Sequence, residues 1–249
     1  MYSVTMARIF AHRGLSGIAP ENTLSAIKAC CEHNVTWFET DVDILADGTP
    51  VLMHDTSLAR TTNSTKTLYD ITQEDLKNID AGSWFNEKYR GEKIPTLAEL
   101  IDLMNAEGLN ANIEIKSNEQ GAERSYQLLD AVIAELERLN PEREVLVSSF
   151  NHVLLNEFSR RSPRHKTAAL FTAEMLQPDW LSVVQMLEVD AIHPEDSVMT
   201  EKLTQQMRDA GYDINVWTVN SRARANELVN WGVTGLFTDY AHLMSDFSS

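Results

Sequence analysis

The sequence predicts a (β/α)8, or TIM, barrel, and three observations carry that expectation. Short β-branched runs alternate with amphipathic helical stretches along the chain. Eight such runs can be counted, the number that closes a parallel sheet on itself. No GxGxxG or GxxxxGK[ST] loop follows the first run, which weakens the rival reading of an open, doubly wound sheet. The predicted strands are 8–11, 37–43, 112–116, 145–149, 167–171, 191–193, 213–218 and 235–238. The first helix is marked by Leu24, Ile27 and Cys31; the second by Leu97, Leu100, Ile101 and Met104, stopped by Gly108. The longest, from Leu128 to Leu139, is stopped by Pro141, and later ones fall near 153–158, 181–187, 203–207 and 225–231. In such a barrel the chemistry belongs at the C-terminal ends of the strands.

At 249 residues the chain has the length of one barrel, so a single domain over 1–249 is expected. With 43% hydrophobic and 23% charged residues, a largely disordered chain is excluded. Acidic residues number 37 against 21 basic ones, a net charge of −16. That charge repels nucleic acid and anionic membranes at long range, so neither is an expected partner. An anionic small substrate then needs a local remedy, a metal ion or a well-placed arginine. The two cysteines, Cys30 and Cys31, are neighbours and read as reduced thiols, because a bridge between them would be strained and close no useful loop. No run approaches the roughly 18 apolar residues of a membrane span, and residues 1–11 lack a signal-peptide pattern. The expected compartment is the cytoplasm.

One segment breaks the rhythm. Residues 56–92 are polar, open with Thr61-Thr62-Asn63-Ser64-Thr65 and carry Trp84, Phe85 and Tyr89 towards their end. They are too long for a simple βα loop and read as an insertion after the second strand region. It either sits over one side of the barrel mouth or is a surface excursion.

The strand ends carry the chemistry. The first ends in His12-Arg13-Gly14, followed by Pro20-Glu21-Asn22-Thr23 opening a helix. The second bears Glu39, Asp41 and Asp43 at alternate positions, hence on one face. Hydrophobic neighbours make that face partly buried, where carboxylates repel unless a cation holds them. Asp47-Gly48 reads as a two-residue hairpin turn, which pairs His54 opposite Asp41 at about 5 Å between Cβ atoms; a longer turn would shift that register. The third strand places Asn112, Glu114 and Lys116 on one face. Oxygen donors from Glu39, Asp41 and Glu114, without cysteine or paired-histidine spacing, suit Mg²⁺ or Ca²⁺ better than zinc. Glu114 with Lys116 also reads as a structural ion pair. Trp217 faces the mouth or packs in the barrel, and of the remaining histidines only His193 ends a strand. Two histidines beside a divalent ion, with an arginine fork for phosphate oxygens, suit phosphodiester cleavage with His12 and His54 as general acid and base.

These residues carry a resemblance. His12-Arg13-Gly14, Pro20-Glu21-Asn22-Thr23, Glu39-x-Asp41-Val42, Asp47-Gly48 with Val51-x-x-His54-Asp55, Glu114-Ile115-Lys116 and Trp217-Thr218-Val219-Asn220 closely resemble the glycerophosphodiester phosphodiesterase family in order and spacing, from about residue 8 to 243. The resemblance implies a TIM barrel that hydrolyses glycerophosphodiesters to glycerol 3-phosphate and an alcohol. It implies one divalent cation, magnesium or calcium, on Glu39, Asp41 and Glu114, and His12 and His54 as the acid/base pair. Arg13 and Lys116 would hold phosphate, Trp217 would line the glycerol side, and 56–92 would be the family's insertion. The chain looks like the small cytosolic bacterial members. Three rival readings stand beside this one. A glycoside hydrolase fits an acidic barrel mouth but gives no role to His12, His54 or Arg13. A lysophospholipase-D-like enzyme needs an apolar trough, which Trp84, Phe85 and Tyr89 could line. A silent binding protein does not need two acid/base groups.

Overall fold

The computed structural model describes residues 6–247, so the first five residues of the signal-peptide reading lie outside it. The strands are β1 (Arg8–Ala11), β2 (Trp37–Ile44), β3 (Pro50–Leu52), β4 (Asn110–Ile115), β5 (Val145–Ser149), β6 (Lys166–Phe171), β7 (Ala191–Pro194), β8 (Asp213–Val216) and β9 (Gly235–Thr238). Seven helices alternate with them: α1 (Leu24–Glu32), α2 (Leu97–Glu107), α3 (Ala122–Leu136), α4 (His152–Arg161), α5 (Trp180–Leu187), α6 (Glu201–Asp209) and α7 (Arg222–Trp231). The parallel ladder runs β1-β9-β8-β7-β6-β5-β4-β2, and pairing of Ala11 with Phe38 closes it into a barrel of eight strands. The predicted fold class is therefore the observed one. In place of an eighth helix, short 3₁₀ turns follow β9, and the Ala7 amide donates to the Phe247 carbonyl at 2.8 Å. Among the described residues no helix is long and apolar enough to cross a membrane.

The two-residue period of a strand divides each barrel strand between two environments. Ile9, Phe38, Ile113, Val147, Ile192, Ile214 and Leu236 point outwards into one core shared with helix residues such as Leu100, Leu128 and Leu228. The alternate positions fill the barrel. Phe10 stacks on Phe237 at 4.5 Å and meets Trp37 edge-on at 5.5 Å. On the same parity, nearer the C-terminal end, lie Glu39, Asp41, Asn112 and Glu114, all buried. The helices between have readable boundaries: the Thr96 side chain caps α2 and Glu99 completes its capping box, while Asn151, Thr200 and Ser221 cap α4, α6 and α7.

The β2–β3 hairpin departs from the expected register by one residue. Val42 faces Leu52 and Asp43 faces Val51, and the Leu45 amide donates to the Thr49 carbonyl. The loop is thus Ala46-Asp47-Gly48, three residues rather than two, closed by a Gly48 amide to Leu45 carbonyl bond with Gly48 at φ +88°. A three-residue hairpin commonly ends on a left-handed glycine. In the ladder Asp41 therefore lies opposite Met53, whose amide donates to its carbonyl at 3.1 Å, and not opposite His54. His54 reaches the mouth because β3 stops at Leu52 and the chain leaves the sheet there.

Residues 56–92 fold into three 3₁₀ helices, Leu68–Asp70, Gln73–Asn78 and Glu87–Tyr89, around a small core of their own. Leu58, Leu68, Ile71, Leu76 and Ile79 pack there against Leu45, Val51 and Met53 of the hairpin. Polar bonds tie the segment to β2, the β1–α1 loop and the start of α1: Tyr69 donates to Asp43, Tyr89 to the Ile18 carbonyl at 2.9 Å, and Ser25 to Glu92 at 2.5 Å. Trp84, Phe85 and Tyr89 stack edge-to-face on one another, and none lines the mouth cavity. Because this core is separate from the barrel's, Ile71→Ala is expected to cost about 2–5 kcal/mol locally. In hydrogen exchange, amides of 56–92 should lose protection while the barrel strands keep theirs; uniform loss would show the two cores unfold together.

Candidate active site

A cavity of about 210 Å³ opens at the C-terminal end of the barrel, lined by His12, Arg13, Glu39, His54, Asn112, Glu114, Phe150 and Trp217 among others. A larger one, about 460 Å³, opens at the opposite end between Arg8, Lys166 and Asp213. That end of a barrel carries stability rather than chemistry. The mouth cavity gathers most of the residues singled out from sequence, and each is held for an identifiable reason.

Parallel pairing sets the acidic centre. β2 and β4 align Glu39 with Asn112 and Asp41 with Glu114, and all four side chains project inwards. Glu39, Asp41 and Glu114 each offer a carboxylate oxygen, the three lying within 4.8 Å of one another. Asp43, the third acid of the alternation, is not part of this group. It accepts from Tyr69, Asn118 and the Ile44 amide at the rim, where it fastens the 56–92 segment.

Two cations stand beside the acids. Lys116, just past β4, bonds Glu114 at 2.7 Å and lies 3.4 Å from Asp41, so the structural ion pair exists within the site itself. Arg13 sits at φ +56°, which turns its amide onto Glu39 at 2.9 Å. Gly14 follows at φ +76°, and a Cβ there would lie 2.7 Å from the Ala26 Cβ, so only glycine fits. Burial pushes all three carboxyls towards the protonated form. In Asp41, Lys116 and Arg13 outweigh it and hold the carboxyl below the usual range. Glu39, facing Asp41 and Glu114, stays well above it, and burial with Asp41 nearby pushes Glu114 up to about 7.

The two histidines are each backed by a carboxylate. His12 Nδ1 lies 2.7 Å from Asp239, which also accepts from Ser16 and from Asn220. His54 Nδ1 lies 2.5 Å from Asp55. A carboxylate only accepts, so Nδ1 carries the proton in both rings and Nε2 is the free nitrogen. Burial, with Lys116 and Arg13 nearby, holds the His54 pKa below its usual value against the pull of Asp41. Trp217 lines the cavity and also packs, donating to the His193 carbonyl at 2.9 Å and meeting Phe150 edge-on. His193 is fully buried inside the barrel, accepts from Asn215 and is pushed down to about 3 by burial.

The positioning groups are those the sequence did not distinguish. Asp239 directly follows β9, 227 residues from His12, so nothing local marks the pair. Asn22 is buried at φ +54°; it donates to Asp41 at 2.8 Å and accepts from Thr40. Glu21 accepts from Arg13 at 2.8 Å. Both lie within a motif noted from sequence, but only the folded β1–α1 loop turns them towards the acidic centre.

The sequence profile of the glycerophosphoryl diester phosphodiesterase family matches residues 12–243. The chain belongs to that family. It is 34% identical over 231 residues to a glycerophosphodiester phosphodiesterase of Caldanaerobacter subterraneus subsp. tengcongensis, covering 93% of both chains. A glycerophosphodiester phosphodiesterase of Bacillus subtilis is 31% identical, covering 94% of this chain and 83% of the relative. Among solved structures, an Oleispira antarctica phosphodiesterase in complex with the product sn-glycerol-3-phosphate superposes with a TM-score of 0.92 at 30% identity, covering 97% of this chain and 96% of that one.

The residues of this family member fit a hard divalent cation. Oxygens bonded to one ion at about 2.0–2.6 Å lie no more than about 5 Å apart, and the three acids meet that limit. The Asn112 Oδ1, buried beside Glu39 in the ladder, has no hydrogen-bond partner. The sign of the resulting pH dependence follows from Glu114. The folded, metal-free protein keeps this proton up to about 7, whereas the unfolded chain loses it near 4.5. The unfolded state therefore binds fewer protons in that interval, and stability falls as pH rises through it. Thermal melts in EDTA should show Tm falling between about pH 5 and 7.5, and saturating Mg²⁺ or Ca²⁺ should raise Tm more at the higher pH. An equal metal-induced shift at both pH values would contradict the assignment.

Proposed function

We propose that this chain hydrolyses glycerophosphodiesters to glycerol 3-phosphate and the free alcohol. His12 and His54 act as the acid/base pair, and Glu39, Asp41 and Glu114 hold one Mg²⁺ or Ca²⁺. The observation that carries the reading is the convergence, around one cavity, of two carboxylate-backed imidazoles, Arg13, and Glu39 and Glu114 on its wall with Asp41 buried beside them. The relatives' names and the product bound by the Oleispira phosphodiesterase support the glycerol phosphate side. Reduced Cys30 and Cys31 suit action in the cytoplasm.

The chemistry divides among the chain's own residues. Arg13 and Lys116 bind the phosphate oxygens and orient the phosphorus, and Trp217 forms the wall against the glycerol carbons. One imidazole Nε2 takes the proton from the attacking oxygen as the P–O bond to it forms. The other imidazole, protonated, delivers its proton to the alkoxide as the old P–O bond breaks. Asp239 and Asp55 keep each ring in the required tautomer. A bound divalent cation supplies Lewis-acid stabilisation of the charge that grows on the phosphate oxygens.

Release of glycerol 3-phosphate from glycerophosphocholine tests the reading. It should stop in EDTA and return with Mg²⁺ or Ca²⁺. His12→Ala and His54→Ala should each lower kcat by about 10²–10⁴-fold with the melting temperature retained. No release with any cation would remove the substrate assignment, and a near-wild-type rate in either variant would remove that histidine.

A further inference from the structure

Arg60 lies in the 56–92 segment, away from the barrel strands, and its side chain is nearly half exposed. We infer that Arg60 is a positioning residue for hydrolysis, aligning His54 and Arg13 together through one continuous chain of ion pairs. This inference rests on the acid/base and phosphate-binding roles proposed above.

Every branch of the Arg60 fork is engaged. Its Nε donates to Asp55 Oδ2 at 2.6 Å and its Nη2 to Asp55 Oδ1 at 3.2 Å. Nη1 and Nη2 donate to Glu21 Oε2 and Oε1, both at 2.8 Å. Each carboxylate then passes the constraint on: Asp55 Oδ1 holds His54 Nδ1, and Glu21 Oε1 holds Arg13 Nη1. The planar guanidinium has one geometry, so two bidentate contacts set the positions of Asp55 and Glu21 relative to each other. The base of the fork is anchored as well. Leu58 is fully buried in the small core, and its carbonyl accepts from Thr62 at 2.7 Å, bracketing Arg60 on both sides.

Without Arg60, two carboxylates face each other with no shared cation. Asp55 and Glu21 would turn towards solvent, and His54 and Arg13 would lose their alignment. The bond from Arg60 is the largest influence holding the Asp55 carboxyl down to about 2. Arg60 itself is nearly half exposed and belongs to neither hydrophobic core, so its loss falls on alignment more than on folding. A displacement of about 1 Å in a catalytic group can cost about 100-fold. Lysine cannot restore it, because a single ammonium offers no fork.

The test uses glycerophosphocholine hydrolysis by the full-length, metal-loaded enzyme, with melting temperatures in parallel. Arg60→Ala is expected to lower kcat/KM by about 10–100-fold, with both kcat and KM affected and Tm within a few degrees of wild type. Arg60→Lys should remain nearly as impaired. Double-mutant cycles pair Arg60→Ala with Asp55→Asn and with Glu21→Gln. The combined losses should fall at least fivefold short of the product of the single losses, since each pair acts as a unit. A purely structural arginine would lower Tm and give independent, multiplicative effects. Arg60→Ala within twofold of wild type, or multiplicative cycles, overturns the inference while His54→Ala remains inactive. An active His54→Ala would instead overturn the catalytic reading on which the inference rests.

Discussion

Glu39, Asp41 and Glu114 crowd three carboxyl groups into a buried space where their charges can coexist only beside a cation, and the rest of the mouth is arranged around that fact. The chain's own cations satisfy the requirement in part. Lys116 and Arg13 hold Asp41 ionised, while Glu39 and Glu114 remain displaced towards their protonated forms. That shift towards protonation marks the place where a divalent ion would balance the charge. The alternative resolution, an apolar barrel mouth, would be more stable on its own but could bind no phosphate. A chain with a net charge of −16 also has reason to concentrate its positive charge where an anionic substrate must enter.

The scaffold around this centre works by bringing distant segments to one point. β2 and β4 supply the acids in register, the chain just past β1 supplies His12 and Arg13, and the residue just past β9 supplies the carboxylate behind His12. His54 follows just after the strand that returns beside β2. A separate small core beneath that hairpin holds it, and the 56–92 segment also fastens onto Asp43, Ser25 and Ile18. The 56–92 segment is therefore placed as a brace at the side of the mouth rather than as an apolar lid. Its aromatic residues are spent on one another and on that brace.

Most of the fold was legible because each strand writes its two faces into alternate residues. Asn112, Glu114 and Lys116 against Ile113 and Ile115 could be read without coordinates, as could Glu39 and Asp41. What could not be read was register. One extra residue in the Ala46-Asp47-Gly48 turn moved His54 off Asp41, since turn length is weakly encoded when an Asp-Gly pair suits both lengths. The groups that orient the site were hidden for a related reason. Asp239 and His12 meet only when the barrel closes, and Asn22 reaches Asp41 only because its backbone enters the left-handed region. Asp55 stood next to His54 in plain view, but adjacency in sequence does not reveal that its carboxylate turns back onto the ring.

The central claim is that the three acids form one cation site, and calorimetric titration of Mg²⁺ or Ca²⁺ into metal-free protein near pH 7 tests it most directly. Run in buffers of different ionisation enthalpy, it should give one cation bound per chain with release of protons, as Glu39 and Glu114 exchange them for the metal. Glu114→Gln should bind more weakly and release fewer. Binding without proton release, or with unchanged affinity in Glu114→Gln, would place the cation elsewhere and contradict the account.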